Sequence, residues 1–218
     1  MLQRYNSILK TIKEICPSAH IGGGAVRDTL LERPIRDVDL FLDAGCTDEA
    51  AALMRSQFGF VKVGEWKNYE MFSDPAVVRV AKFEKADETI PVCLIGLNHE
   101  WREERTMQEN LARFDFGICM AGWDGSEVYY TAPEYQRDIE RKTFTLCRAD
   151  DMPQFNYSMS RFKKMTADRY AGWTLVVRPE FEELFREYTL RETYYADYDT
   201  GELKLRDRAQ QLLTPKAR

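Results

Sequence analysis

The sequence predicts an α+β fold in which a mixed central sheet is flanked by helices and followed by a short helical C-terminal region, and three observations support this. Helix-like and strand-like stretches are mixed throughout the first half. After about Asn156 the chain becomes more helical, with "RPEFEELFREYTLRETYY" its clearest helical segment. With 44% hydrophobic and 12% aromatic residues in 218 positions, the chain can bury one domain core, or one core and a small appendage.

In chain order, residues 3–16 place Ile8, Leu9, Ile12 and Ile15 at helical spacing. "SAHIGGG" reads as a short strand running into a glycine turn, followed by a helix from Ala25 to about Glu32. Pro34 disfavours helical geometry at Arg33, and "DVDLFLD" resumes as a strand. "TDEAAALMRSQF" reads as a helix capped by its threonine and stopped by Gly59. "GFVKVGEW", "YEMFSD", "AVVRVAKFE" and "TIPVCLIGL" then read as strands. The expected division is a head unit over 1–155 and a short helical region over 156–218.

Composition excludes several classes. No apolar run approaches the roughly 20 residues of a membrane span, and the amphipathic start "MLQRYNSILKTIKEIC" has no signal-peptide core, so a cytoplasmic location without membrane contact is expected. Five widely spaced cysteines suit reduced thiols better than a disulfide framework. Zinc is disfavoured, because there is no C-x-x-C and the only histidines are His20 and His99. A net charge of −5 argues against coating nucleic acid through overall charge, while leaving room for a local basic patch.

The segment from His20 to Leu42 carries the chemistry. Glycines at a strand-to-helix turn let backbone approach an anion, and the following helix offers free N–H groups to it. On the next strand Asp37 and Asp39 project to one face, about 6.5 Å apart, while Val38, Leu40 and Leu42 point to the core. Paired carboxylates repel unless cations neutralise them, as two Mg²⁺ ions about 3.5–4 Å apart do in phosphoryl transfer. Taken singly, the glycines also suit a plain tight turn and the D-x-D a solvated strand edge. Joined by one short helix, the two sit side by side.

"GGAVRDTLLERPIRDVDLFL", Gly23 to Leu42, resembles the active-site signature of class II tRNA nucleotidyltransferases (CCA-adding enzymes) and bacterial poly(A) polymerases, in the DNA polymerase beta superfamily. That pattern runs GG-x-V-R-D-x-L-L-G-R and then D-x-D, with Glu32 standing here where the family has glycine. The resemblance implies a polymerase-beta-like nucleotidyltransferase fold, in which Gly23, Gly24 and Arg27 hold the triphosphate and Asp37 and Asp39 bind two Mg²⁺. Asp28 is a further candidate for nucleotide binding, and equally a carboxylate favoured at a helix N-terminus.

"MQENLARFDFGICMAGWDGSEVYY" resembles the family's D-L-x-R-R-D-F-T-x-N-A segment, keeping Arg113, Asp115 and Phe116. Phe114, Gly117 and Cys119 replace an arginine, a threonine and an asparagine. Arg113 and Asp115 are nucleotide-binding candidates, or a structural ion pair near a strand start. "TAPEYQRDIERKTFTL" resembles the family's D-P-x-G-G-x-x-D-L stretch, a structural echo. In "FNYSMSRFKKMTADRYAGWTL", Arg161 falls on the first arginine of the family's E-D-x-x-R motif, while Tyr157 and Ser158 replace the acidic pair. The family reads CTP or ATP through that acidic residue and arginine, so ordered C-C-A synthesis is not expected. Arg161, Lys163, Lys164 and Arg169 are expected to form a basic helix that could hold a triphosphate or an RNA backbone, or simply face solvent. Pro91 sits near where the superfamily's third carboxylate is expected, with Glu84 and Glu88 the nearest alternatives.

The resemblance implies a metal-dependent nucleotidyltransferase that moves a nucleoside monophosphate from a triphosphate, ATP or CTP, to an acceptor hydroxyl and releases pyrophosphate. A tRNA-like RNA 3′ end is the expected acceptor. A protein side chain, a small molecule, or a non-catalytic nucleotide-binding role are the alternatives.

Overall fold

A computed structural model describes residues 2–67, 76–98, 107–130, 132–196 and 203–205. Helix α1 (Asn6–Ile15) buries Ile8, Leu9 and Ile12, as their spacing requires. Strand β1 (His20–Gly22), helix α2 (Gly24–Leu30) and strand β2 (Val38–Asp43) follow. Helix α3 (Thr47–Ser56) comes next, then strands β3 (Val61–Lys67), β4 (Val77–Lys85) and β5 (Glu88–Leu97). The "YEMFSD" stretch lies outside the described residues, as does His99. Past β5 come α4 (Met107–Leu111), β6 (Ala121–Trp123), β7 (Val128–Tyr130), α5 (Ala132–Arg141), β8 (Thr143–Leu146), α6 (Met152–Thr166), β9 (Thr174–Val177) and α7 (Glu182–Thr193). The last described elements are a small β10 (Tyr194–Ala196) and β11 (Leu203–Leu205) pair.

The central sheet has the order β3-β4-β5-β2-β1-β6-β7 and is mixed: β2 runs parallel to β5, while the other neighbours are antiparallel. One face packs on α1, α2 and α3, where Ile12, Val26 and Met54 meet Val38, Leu40, Phe83 and Leu94 in one core. The opposite face is left for the site. A second core joins Phe116 and Phe144 to Phe155, Met159, Tyr170 and Trp173. Strand β9 pairs with β8, so the boundary expected between residues 155 and 156 falls inside α6 and inside this second core.

Two local expectations need correcting. Cys46, not Thr47, precedes α3; Thr47 is already helical, and its hydroxyl donates to the carbonyl of Ala44 at 2.9 Å instead of accepting from the helix. Arg169 does not belong to the basic helix, because α6 ends at Thr166 and Arg169 lies in the turn beyond it.

Helix α2 ends in a Schellman arrangement. The Arg33 N–H donates to Asp28 O at 2.7 Å, the Glu32 N–H to Thr29 O at 3.1 Å, and Glu32 between them has φ 54°. That left-handed position gives the glycine of the resembling signature its physical reason.

Candidate active site

The open face of the sheet floors a cavity of about 650 Å³. Asp37 and Asp39 enter it beside Phe41, with Cys93 from β5 and Val80 and Lys82 from β4, because strand side chains of equal parity share a face. Val38, Leu40 and Leu42, of the other parity, are all buried in the core. Asp37 is exposed and Asp39 half-buried. Burial, then the charge of Asp37, pushes the Asp39 carboxyl above the usual carboxylate range, with Arg161 opposing both.

This donor set suits a hard cation. Mg²⁺ is satisfied by one or two carboxylates, with phosphate oxygens and water completing its shell. Among the described residues no group of three or more His, Cys, Asp or Glu gathers to form an all-protein cage. The strands beside Asp39 offer no third carboxylate in register: its partner on β5 is Cys93, whose own partner on β4 is Lys82. Burial, then Asp39 and Asp37, pushes the Cys93 thiol up to about 12. Pro91 lines the cavity; Glu84 pairs with Lys82 at 2.8 Å and, like Glu88, does not line it.

The glycine turn borders the same cavity. Gly23 has φ 71°, and a Cβ there would come within 2.9 Å of the Phe114 ring, so both conformation and space demand glycine. The Gly23 N–H donates to Ala121 O at 2.8 Å, so it is engaged within the sheet; Gly24 lines the cavity. A Cβ on Gly24 would stand 3.5 Å from Arg27 Nη2, directly against the guanidinium.

Arg27 lines the cavity yet is only 3% exposed. Its Nε donates to Asp28 Oδ1 at 2.8 Å, its Nη1 approaches Cys119 Sγ at 3.1 Å, and its guanidinium lies 4.9 Å from the Tyr170 ring centroid. Burial disfavours its charge, but the hydrogen bond and charge of Asp28 oppose that, and the guanidinium stays protonated. Asp28 does not line the cavity. It accepts from Arg27, Arg169 and the Tyr170 hydroxyl, tying α2 to the turn after α6. Burial would raise its pKa, but Arg27, then Tyr170 and Arg169, hold it below the usual carboxylate range.

Arg113, Asp115 and Arg161 all line the cavity. Arg161 Nη1 donates to Asp115 Oδ1 at 2.8 Å, and Asp115 is the main reason the Arg161 pKa is raised. Asp115 Oδ2 is buried with no partner among the described residues. Tyr157 lines the cavity with the Arg161 guanidinium 5.8 Å from its ring centroid, while Ser158 is fully buried and its hydroxyl has no described partner. Around these acids stand Arg36, Lys82 and Lys164, so the cavity is basic in a chain that is acidic overall.

The departures around Phe114 have packing reasons. Phe114 meets Phe41 edge-on at 5.7 Å, and Cys119 lies against Arg27. A Cβ on Gly117 would come 2.6 Å from Glu134 Cβ. Asp138, fully buried, accepts from the Ile118 N–H and from Thr143 and Thr145, and so organises β8. Sequence reasoning did not single out Phe41, Trp66, Lys82 or Cys93 as cavity residues. The alternation in "AVVRVAKFE" signalled the parity of Lys82, but not that β4 and β5 lie beside β2.

Comparison with known proteins identifies the family. Residues 19–147, more than half of the chain, match the Poly A polymerase head domain family. The chain is 29% identical over 168 residues to a multifunctional CCA protein of Pseudomonas fluorescens Pf-5, covering 76% of this chain and 38% of that protein. Among solved structures it resembles a tRNA-processing enzyme in its apo form (TM-score 0.56, 20% identity, 86% of this chain and 46% of that one). It also resembles the Bacillus stearothermophilus CCA-adding enzyme in complex with CTP (TM-score 0.55, 18% identity, 88% and 43%). The chain thus spans less than half the length of these relatives. The residues matched and the fold they adopt establish that this chain belongs to the Poly A polymerase head domain family.

Proposed function

We propose that this protein is a Mg²⁺-dependent nucleotidyltransferase that moves a nucleoside monophosphate from ATP or CTP to the hydroxyl of an RNA 3′ end, tRNA-like in form. The observation that carries the reading is that Asp37, Asp39, Gly24 and Arg27 line one cavity. Asp37, Asp39, Gly24 and Arg27 from the head unit act together with Arg161 on α6, which the second core joins to that unit.

Asp37 and Asp39 would hold the metal, which when bound neutralises phosphate charge and makes the acceptor hydroxyl more acidic. Gly23 sets the turn, Gly24 leaves room for phosphate oxygens, and Arg27 supplies a positive charge beneath them that Asp28 keeps oriented. The unpartnered Oδ2 of Asp115 can accept from a ribose hydroxyl or a base amino group, while Arg161 and Arg113 donate to the nucleotide. The acceptor hydroxyl gives up its proton to solvent, its oxygen bonds to the α-phosphorus as the bond to the bridging oxygen breaks, and pyrophosphate leaves. Catalysis on this reading is positioning and charge neutralisation. Lacking a carboxylate at Tyr157 or Ser158, the pocket discriminates between bases less strictly than a complete hydrogen-bonding template would.

The test is to incubate wild type, Asp37→Ala and Asp39→Ala with each α-labelled triphosphate, Mg²⁺ and total RNA, following both label and pyrophosphate. Labelling of RNA by wild type alone supports the reading. Absence of wild-type labelling with every triphosphate, or equal labelling by the variants, refutes it.

A further inference from the structure

Trp66 is a large aromatic side chain that lines the cavity shared with Asp37 and Asp39 and yet remains 47% exposed. It stands on β3, the edge strand of the central sheet, opposite Val80 in the β3–β4 register. Its ring lies over Gly64, two residues earlier on the same face: a Cβ on Gly64 would come 2.8 Å from Trp66 Cη2, 3.2 Å from Cζ3 and 3.3 Å from Cζ2. Glycine there lets the indole lie down along the strand. The result is a ring supported by backbone from one side, with much of its surface still accessible. The reaction chemistry proposed above does not use it.

We propose that Trp66 is a stacking platform for an unpaired base of the RNA acceptor, upstream of the reacting 3′ hydroxyl. This rests on the reading of the chain as a nucleotidyltransferase with an RNA acceptor, and deepens it by assigning an acceptor subsite. Single-stranded RNA is held by aromatic faces that stack on bases and by cations that follow the phosphates. Both are present: between Trp66 and the D-x-D the floor carries Lys82, and Arg36 and Lys164 also line the cavity. Two strands, β4 and β5, separate β3 from β2, so at about 4.8 Å per strand the ring lies roughly 14 Å from the carboxylate strand. At ~3.4 Å per stacked nucleotide, that is about four nucleotides. Trp66 therefore touches a base several positions before the 3′ end, and an acceptor must present a single-stranded tail long enough to reach it.

The test combines binding and turnover. Fluorescence anisotropy of 5′-fluorescein RNA oligomers of two and eight nucleotides, and of an abasic eight-mer, is measured with wild type, Trp66→Leu and Trp66→Tyr, each checked for folding by thermal melting. Transfer onto the unmodified oligomers is measured in parallel. The expected result is that Trp66→Leu weakens binding of the eight-mer about 5- to 100-fold and raises its KM similarly, without changing the KM for the triphosphate. Trp66→Tyr restores most of the loss, and the dinucleotide and abasic oligomer show no difference between variants. Equal binding of the eight-mer by wild type and Trp66→Leu, or no RNA binding by wild type, overturns the platform, as does transfer confined to protein with RNA binding independent of residue 66. If wild type extends no RNA but its binding still depends on the aromatic ring, the acceptor subsite stands and the proposed reaction fails.

Discussion

Arg161 on α6 donates from Nη1 to Oδ1 of Asp115 at 2.8 Å, joining a helix of the second core to the segment that leads into β6. The bond leaves the second carboxylate oxygen of Asp115 buried and unpartnered among the described residues. Asp115→Asn removes the charge while keeping the shape. Its expected effect is a rise of about tenfold or more in the KM for the triphosphate, the scale of one charge-assisted hydrogen bond. Because Arg161 is 35% exposed, solvent screening holds the stability cost to about 1–2 kcal/mol. Steady-state kinetics and urea denaturation on the same preparation separate the two effects.

Asp39→Asn is expected to affect stability and activity in opposite directions. Asp39 is driven above the usual carboxylate range by burial and by Asp37, so its ionised form costs folding energy near neutral pH. Unliganded Asp39→Asn should be as stable as wild type or more so, by about 1 kcal/mol, while transfer falls at least 100-fold. A raised pKa contributes stability at low pH that is lost as pH rises through the folded value. The variant's advantage should therefore shrink on acidification toward the ordinary carboxylate range. Thermal melts with and without Mg²⁺ and triphosphate check this, with a ligand-induced rise in Tm expected only for wild type.

His20 makes the opposite contribution. It is 4% exposed, its Nδ1 lies 2.9 Å from Ser18 O, its Nε2 lies 2.9 Å from Asn110 Nδ2, and it stacks on Phe41 with centroids 5.5 Å apart. Burial lowers its pKa from 6.5 to about 4. Between those values the unfolded chain takes up the proton first, so stability falls as pH drops from 6.5 and levels off below about 4, by up to about 3 kcal/mol. Urea midpoints across pH 4–7 should show a shallower decline in His20→Gln than in wild type.

Glu32→Gly should stabilise the protein. Glu32 sits at φ 54° between two closing hydrogen bonds of α2, a conformation that costs a side-chain-bearing residue about 1–2 kcal/mol. Glycine removes that strain but enlarges the unfolded ensemble, leaving a net gain of about 1 kcal/mol or less. A small increase in denaturation midpoint with unchanged m-value is the expected readout, and a decrease would contradict it.

The local elements around the site follow from residue order alone. The parity of Asp37 and Asp39 against Val38, Leu40 and Leu42, the turn after Gly22, and the break at Pro34 are consequences of backbone geometry and side-chain period, which act over a few residues. The resemblance of Gly23 to Leu42 to a known signature carried the rest of that half of the site. Tertiary structure decided what lies beside it. Whether β5 and β4 place a carboxylate, a thiol or an ammonium next to Asp39 depends on strand order and register, which are set by contacts dozens of residues apart. In the same way, Asp28 could be read as a dipole-stabilised carboxylate at a helix start, but its engagement by Arg169 and Tyr170 required the turn after α6 to fold back onto α2. Trp66 is the plainest case: nothing local shows that this edge-strand tryptophan lines a cavity, because only packing of the whole sheet sets its face beside the carboxylates.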